Sequence, residues 1–387
     1  MRIAIDARMG DTSGGIGIYI RELISHLVEI DRNNQYFIIV YKHGDRSFVP
    51  FADNFSILES SISHKHYFIK DLWNQIFLPF LLEANSIDLY FNPRYILPFF
   101  KGKTKMVVTI HDMIAFLYPE IWRGISGFRI RNYIKLSSQR ADTIITDSIC
   151  AKKDIVRILN IPDDKIKVIY CGVNNNLFKP ISDLFLQKSV KRKYGIQKDF
   201  IIAIGPLNLR KNHGRLIDAY GKLPKYIITD YQLVIIGEKR GTYNNLLKKV
   251  SKNCVVDDIV FTGFISEKEM PMVISAASLF VFPSLYEGFG LPPLEVMACG
   301  TPVVASNGSS IPEVVGDAAL LFDPYNVEEM TAAIYKALTD KQLRNELRQK
   351  GFERVKRFSW ENAARETLAV YEEAYKSHNA KNSFVKR

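Results

Sequence analysis

Twelve short runs of β-branched and aromatic residues, alternating with stretches of helical spacing, constrain this chain more than any other feature. The first six are RIAIDA (2–7), YFIIVYK (36–42), IDLYFNP (87–93), KMVVTIHD (105–112), DTIITDS (142–148) and IKVIYCG (166–172). A basic stretch interrupted by Pro180 follows, without strand character. A second six begins at FIIAIGP (200–206) and continues through YQLVIIG (231–237), DIVFTGF (258–264), SLFVFPS (278–284), PVVASN (302–307) and ALLFDP (319–324). Nearly continuous apolar strands separated by helices read as parallel sheets covered on both faces. A chain of 387 residues also exceeds what one core ordinarily organises. The expectation is α/β architecture with two doubly wound domains, 1–177 and 196–359, joined by a linker at 178–195. A last helix and tail, 360–387, are expected to pack back on the N-terminal domain.

Composition narrows the function classes. The apolar fraction of 47% is that of a globular protein. No window approaches the ~20 apolar residues of a membrane span, and MRIAIDARMG lacks the apolar region of a signal peptide. Cys150, Cys171, Cys254 and Cys299 are far apart with no metal spacing, which predicts free thiols and a cytoplasmic setting. The net charge of +11 admits nucleic acid, an anionic membrane surface or a polyanionic small ligand. No nucleic-acid-binding motif accompanies it, so nucleic acid ranks last.

In open parallel sheets ligands bind where strands end and helices begin. LYEGFGLPPLEVMACGTPVVAS (285–306) follows the strand SLFVFPS. Gly288 and Gly290 let backbone approach a ligand closely, and Pro292 and Pro293 suit the first turn of a helix. The Gly288–Phe289–Gly290–Leu291 loop therefore offers N–H groups and a helix N-terminus to an anionic oxygen, most often phosphate. Glu287 lies just before the loop, and Glu295 is expected in the first helical turn. Carboxylates repel phosphate, so these two are better suited to hydroxyls on either side of a diphosphate. The plain alternatives are a solvated loop charge for Glu287 and a helix-start acid for Glu295.

EGFGLPPLE resembles the E-x7-E signature of the family 4 retaining glycosyltransferases, and MACGTPVVASNGSSIPEVVGDAALLFDP resembles its continuation. The likeness extends over nearly the whole chain. It implies the GT-B fold, two Rossmann-like domains facing across a cleft, with the acceptor held by the first and the nucleotide sugar by the second.

GPLNLRKNHGRLIDAY (205–220) resembles that family's phosphate-binding stretch. Arg210 and Lys211 precede a helix expected to start near Asn212, a good N-cap residue. Two cations there suit a leaving diphosphate, and such a group is worth about 3 kcal/mol in the transition state. Many relatives carry arginine directly after the strand's glycine; here Pro206 takes that place, which loads the charge onto Arg210 and Lys211. DTSGGIGIYIREL (11–23) opens the first domain's helix, and the resemblance assigns Gly14 and Gly15 to the donor phosphates. A dinucleotide fingerprint is not complete, because Ile20 stands where it needs glycine. His111 and Asp112 end the strand of KMVVTIHD; the resemblance gives the histidine a contact with the transferred sugar, while Asp112 is equally suited to capping the next helix. No D-x-D triplet occurs, so no metal and no other cofactor is expected.

Between Ile121 and Ala141 there is no acid, while Arg123, Arg129, Arg131 and Lys135 interleave with Trp122, Phe128 and Tyr133. Near an anionic bilayer each such cation is worth about 1 kcal/mol. This helix is therefore read as a membrane or acceptor surface, against the plainer reading of a solvated helix face. IKDLWNQIFLPFLL (69–82) places Ile69, Leu72, Trp73, Ile76, Phe77, Phe80 and Leu81 on one stripe, broken in register by Pro79; packing on the first sheet accounts for it, with membrane contact the lesser alternative.

The resemblance implies transfer of a hexose with retention, most like bacterial mannosyltransferases using GDP-mannose, to a glycan or polyprenyl-diphosphate-linked acceptor at the inner face of the cytoplasmic membrane. In that scheme Arg210, Lys211 and the loop amides take the diphosphate charge, Glu287 and His111 hold the sugar, Glu295 holds the ribose, and domain closure excludes water. UDP-glucose, UDP-N-acetylglucosamine and dTDP-rhamnose users share these motifs. A sugar-nucleotide epimerase of the same architecture and a non-catalytic nucleotide-sugar or membrane-surface binding protein are the rival classes.

Overall fold

A computed structural model describes residues 1–62, 67–100, 102–239, 243–253 and 255–384. Cys254 lies outside these residues, while Cys150, Cys171 and Cys299 form no disulfide among the described residues. The chain divides into two compact units, one of residues 1–172 with 359–387 and one of residues 173–358.

The first unit holds seven strands: β1 Arg2–Asp6, β2 Gln35–Tyr41, β3 Phe55–Ser60, β4 Leu89–Asn92, β5 Lys105–Thr109, β6 Thr143–Thr146 and β7 Ile166–Val168. They lie in the order β3-β2-β1-β4-β5-β6-β7, and neighbours run parallel. All six runs expected here form strands. The edge strand β3, FSILES, was not expected: Ser56 and Glu59 interrupt its apolar residues Phe55, Ile57 and Leu58, so it carries no continuous apolar run. The second unit holds β8 Asp199–Ile204, β9 Tyr231–Ile236, β10 Ile259–Gly263, β11 Leu279–Phe282, β12 Val303–Ser306 and β13 Ala319–Phe322. Their order is β10-β9-β8-β11-β12-β13, again parallel.

Central strands are buried on both faces, as in β4, β6, β11 and β12. Ile235 and Val281 belong to the core of the second unit and Tyr90 and Val108 to that of the first. Each fully buried aliphatic side chain of this kind contributes about 1.5–3 kcal/mol. In both sheets the strand order reverses next to the first strand, between β1 and β4 and between β8 and β11. Such a switch point opens a crevice at the carboxyl ends of the strands.

Helix Trp360–Phe384 belongs to the first unit. The chain re-enters that unit against Gly172, where a Cβ would come within 2.1 Å of the Trp360 nitrogen. Residues 178–195, read above as a linker, contain helix Leu184–Lys193, capped by the Asp183 side chain accepting from the Phe185 and Leu186 N–H groups.

The segment 69–82 departs from its expected register. Helix Tyr67–Leu72 passes through a π-helical turn, Trp73–Phe77, into helix Leu78–Ala84. Pro79 sits in the first turn of that last piece, and the wider turn upstream accommodates its missing N–H. The extra residue rotates the stripe: Trp73, Leu78 and Leu82 are buried, whereas Leu72, Ile76, Phe77 and Phe80 face solvent. The side chain of Ile69 lies outside the described residues.

Candidate active site

The switch point of the second unit gathers three of the expected residues. After β8, the chain makes a short 3-10 turn, Leu209–Lys211, capped by the Asn208 side chain accepting from the Lys211 N–H at 3.1 Å. After β11 it reaches Glu287. The Glu287 carboxylate accepts from Lys211 Nζ at 2.7 Å and, through its other oxygen, from the Arg210 guanidinium. Arg210 also donates to the Tyr286 carbonyl at 3.0 Å, and the Leu285 N–H donates to the Arg210 carbonyl at 2.8 Å. Lys211 is 6% exposed and Glu287 7%. Two cations around one buried carboxylate leave this corner with a surplus positive charge.

Gly205 makes the lysine's path possible. Its φ is 146°, and a Cβ would stand 2.8 Å from Lys211 Cε. The ammonium then lies over the Phe282 ring, 4.9 Å from its centroid. Burial pushes the Glu287 carboxyl up, but Arg210 and Lys211 outweigh it and hold it at about 2. Burial lowers the Lys211 ammonium, and Glu287 opposes that shift.

Asn212 is the N-cap residue of helix His213–Gly221, as expected, but its side chain makes no capping hydrogen bond. Its backbone is left-handed, with φ at 56°, and its side-chain amide donates to the Pro283 and Pro324 carbonyls. It ties the two strand-end loops together instead.

The glycine loop is pinned from the next connection. The Glu287 N–H donates to Ser309 Oγ at 2.8 Å, and the Ser310 hydroxyl reaches the Glu287 and Phe289 carbonyls at 2.9 and 2.8 Å. Gly290, at φ 102°, is the left-handed residue that starts helix Leu291–Ala298, with Pro292 and Pro293 in its first turn. Glu295 is the fifth residue of this helix, just past the first turn where it was expected, because the helix already starts at Leu291. Gly288 and Phe289 form the bend before it.

In the first unit, β5 pairs with β6 through Thr109 and Ile145. Two residues on, that register sets His111 beside Asp147, and Nδ1 donates to the carboxylate at 2.5 Å. Nε2 donates to the Pro93 carbonyl at 2.9 Å. Both partners only accept, so both ring nitrogens carry protons in this arrangement. Burial works against the imidazolium, but Asp147 and the Pro93 carbonyl prevail and raise its pKa. Asp112 accepts from the Ile114 N–H at 3.0 Å, at the start of the next helix. Asp147 was missed in the sequence although it ends a strand as His111 does.

Gly14 is the N-cap of helix Gly15–Ile30, and a Cβ on Gly14 or Gly15 would meet nothing within 4 Å. The protein itself does not require glycine at either place. Gly17 is the packing glycine: a Cβ there would fall 2.0 Å from the Thr12 carbonyl oxygen. On helix Gly124–Arg140, Arg129 bridges to Asp71 at 2.9 Å, Arg131 donates to the Ala115 carbonyl and Arg123 to the Glu120 carbonyl, while Lys135 is exposed. Among the described residues no helix is long and apolar enough to cross a membrane.

Residues 13–177 match the family described as Glycosyltransferase Family 4, and residues 186–354 the one described as Glycosyl transferases group 1. Over 286 residues the chain is 33% identical to O-antigen chain mannosyltransferase B of Escherichia coli, spanning 73% of this chain and 74% of that one. The chain is a family 4 glycosyltransferase. A serotype-specific mannosyltransferase, WbdA of Escherichia coli, is 31% identical over 70% of this glycosyltransferase, which spans only 35% of that longer protein. The fold is GT-B, shared with sucrose-phosphate synthase of Thermosynechococcus elongatus at a TM-score of 0.78 and 21% identity, over 97% of this chain and 100% of that one.

Proposed function

We propose that this glycosyltransferase moves mannose from GDP-mannose, with retention, to a glycan or lipid-linked saccharide during assembly of a cell-surface polysaccharide. One observation carries the reading: Arg210, Lys211 and Glu287 converge at the β8/β11 switch point of a chain whose relatives include O-antigen mannosyltransferases. Arg210, Lys211 and the helix N-terminus at Gly288–Leu291 take up the charge of the departing diphosphate. The Glu287 carboxylate has lone pairs beyond the two used by the cations, and these accept sugar hydroxyls. Glu295 holds the ribose.

The bond between the anomeric carbon and the diphosphate oxygen breaks as the acceptor oxygen bonds the same face. The acceptor proton passes to the departing phosphate oxygen. Fixed cations serve where related chemistry uses a metal, so turnover is expected to survive EDTA. Peripheral attachment to the cytoplasmic membrane surface completes the proposal.

Incubation with GDP-mannose, UDP-glucose, UDP-N-acetylglucosamine and dTDP-rhamnose, monitored for free nucleotide and for epimerised sugar, tests it. Release of GDP with a mannosylated acceptor supports the reading. Epimerised UDP-sugar without an acceptor, or binding with no turnover of any donor, overturns it.

A further inference from the structure

The ring of His111 is committed at both ends. Nδ1 meets the Asp147 carboxylate at 2.5 Å and Nε2 the Pro93 carbonyl at 2.9 Å. Pro93 directly follows β4, which borders the switch point of the first unit. Nε2–H therefore lies at the edge of the crevice where such sheets hold ligands. The histidine side chain keeps 17% exposure, whereas that of Asp147 is reduced to 5%. The acid is sealed in and the ring is not.

The surroundings leave Asp147 as the group that decides the ring's protonation. From helix Gly15–Ile30, Tyr19 meets the imidazole edge-on with centroids 5.1 Å apart. Burial, then Asp147, push its hydroxyl well up, so it stays neutral. Cys171, after β7, lies against the Asp147 carboxylate, and burial with that charge keeps its thiol protonated too. Helix Trp360–Phe384 brings Trp360, edge-on to Tyr19, and Thr367, neither of which titrates. Beyond Pro93, the Arg94 guanidinium lies over the Tyr95 ring. Burial opposes a charge on the imidazole; Asp147, the Pro93 carbonyl and, least, Asp112 of its own loop favour one. A neutral ring has one N–H and one lone pair, and here the lone pair would face an oxygen at either end. The partner on Nδ1 thus sets what Nε2 can do.

We propose that Asp147 is a positioning residue for glycosyl transfer: by accepting from Nδ1 it makes His111 a donor through Nε2–H, offered to an oxygen of a saccharide bound at this strand end, and bars the ring from taking the acceptor's proton. This rests on the proposed transfer and deepens it by assigning the charge state of one side chain. The Pro93 carbonyl keeps Nε2–H aligned, and a sugar oxygen shares it in a three-centre hydrogen bond. An imidazolium has no lone pair for a proton, which leaves that proton to the departing phosphate oxygen.

The test uses the full chain with whichever nucleotide sugar and acceptor it turns over. Wild-type kcat/KM should be level below the His111 midpoint and fall above it. In Asp147→Asn the same fall should come about one pH unit or more lower, with activity restored to within about threefold of wild type on the acid side. NMR titration of the histidine ring protons, with His111 assigned by its loss in His111→Gln, should place its midpoint above 6.5 in wild type and about one unit or more lower in Asp147→Asn. The KM that rises in His111→Ala, the donor's or the acceptor's, tells which saccharide meets the ring. His111→Gln, whose amide donates but takes no proton, should keep about tenfold more turnover than His111→Ala. Equal loss in those two, or wild-type activity that climbs through the His111 midpoint, would make the ring a base and overturn the proposal. An Asp147→Asn defect of one size at every pH, no defect, or an unmoved midpoint reduces Asp147 to a structural part and overturns it as well. These failures leave the transfer standing. A wild type that turns over no nucleotide sugar refutes the transfer, and this role with it.

Discussion

Lys211 Nζ and Glu287 Oε1 stand 2.7 Å apart in a corner where both side chains are buried, and the carboxylate's other oxygen faces Arg210. The pair joins the loops after β8 and β11, so it holds Arg210 and Lys211, the cations proposed to meet the diphosphate, where two strand ends meet. Removing Glu287 leaves the cations' charge uncompensated in a buried corner, which costs about 3–5 kcal/mol in such pairs.

Lys211→Met should lower turnover by about 100-fold or more, the cost of one lost transition-state donor. Arg210 still neutralises Glu287 in this variant, so the chain is expected to remain folded. Glu287→Gln should lose turnover as well, with a lower melting temperature because two cations then share no carboxylate. Steady-state kinetics beside a thermal melt of each variant checks this; wild-type turnover in either removes the site assignment.

The Glu287 carboxyl is held at about 2 when folded against an ordinary value of 4.5. A depressed acid contributes stability that is fully present above its unfolded pKa and is lost as pH falls through the folded one. Unfolding free energy should therefore drop between pH 4.5 and about 2, by at most about 3 kcal/mol from this group. Urea midpoints across that window should show a shallower decline in Glu287→Gln than in wild type.

His111 has the opposite sign. Its pKa is raised above 6.5, so its contribution is complete below that value and is lost as pH rises through the folded one. Urea titrations from about pH 6 to about pH 9 should show stability falling in wild type and little such decline in His111→Gln. An unchanged slope in the variant would place the titrating group elsewhere.

Gly15→Ala meets no protein atom within 4 Å, whereas Gly17→Ala drives a methyl to 2.0 Å from the Thr12 oxygen. The first should melt like wild type but raise the donor KM, as the phosphate contact that the resemblance implies for this loop requires. The second should lose stability outright. Donor kinetics that are unaffected in Gly15→Ala would remove that loop from the donor site.

Local order did most of what the sequence could determine. Strands buried on both faces must be apolar along their whole length, so runs such as LFVF and VVAS announce themselves, and residues that follow them fall at strand ends. That placed His111, Arg210, Lys211 and Glu287 before any coordinates. Edge strand β3 escaped because Ser56 and Glu59 break its apolar residues into short pieces that carry no such mark. Tertiary structure alone decided pairing and phase. Glu287 sits between two cations 76 and 77 residues away because β8 and β11 are neighbours at a switch point. At a single π-helical turn, Leu72, Ile76, Phe77 and Phe80 of the apolar stripe in 69–82 face solvent while Trp73 stays in the core. The His111–Asp147 pair has no linear motif, because 36 residues separate its members and only the pairing of β5 with β6 makes them adjacent.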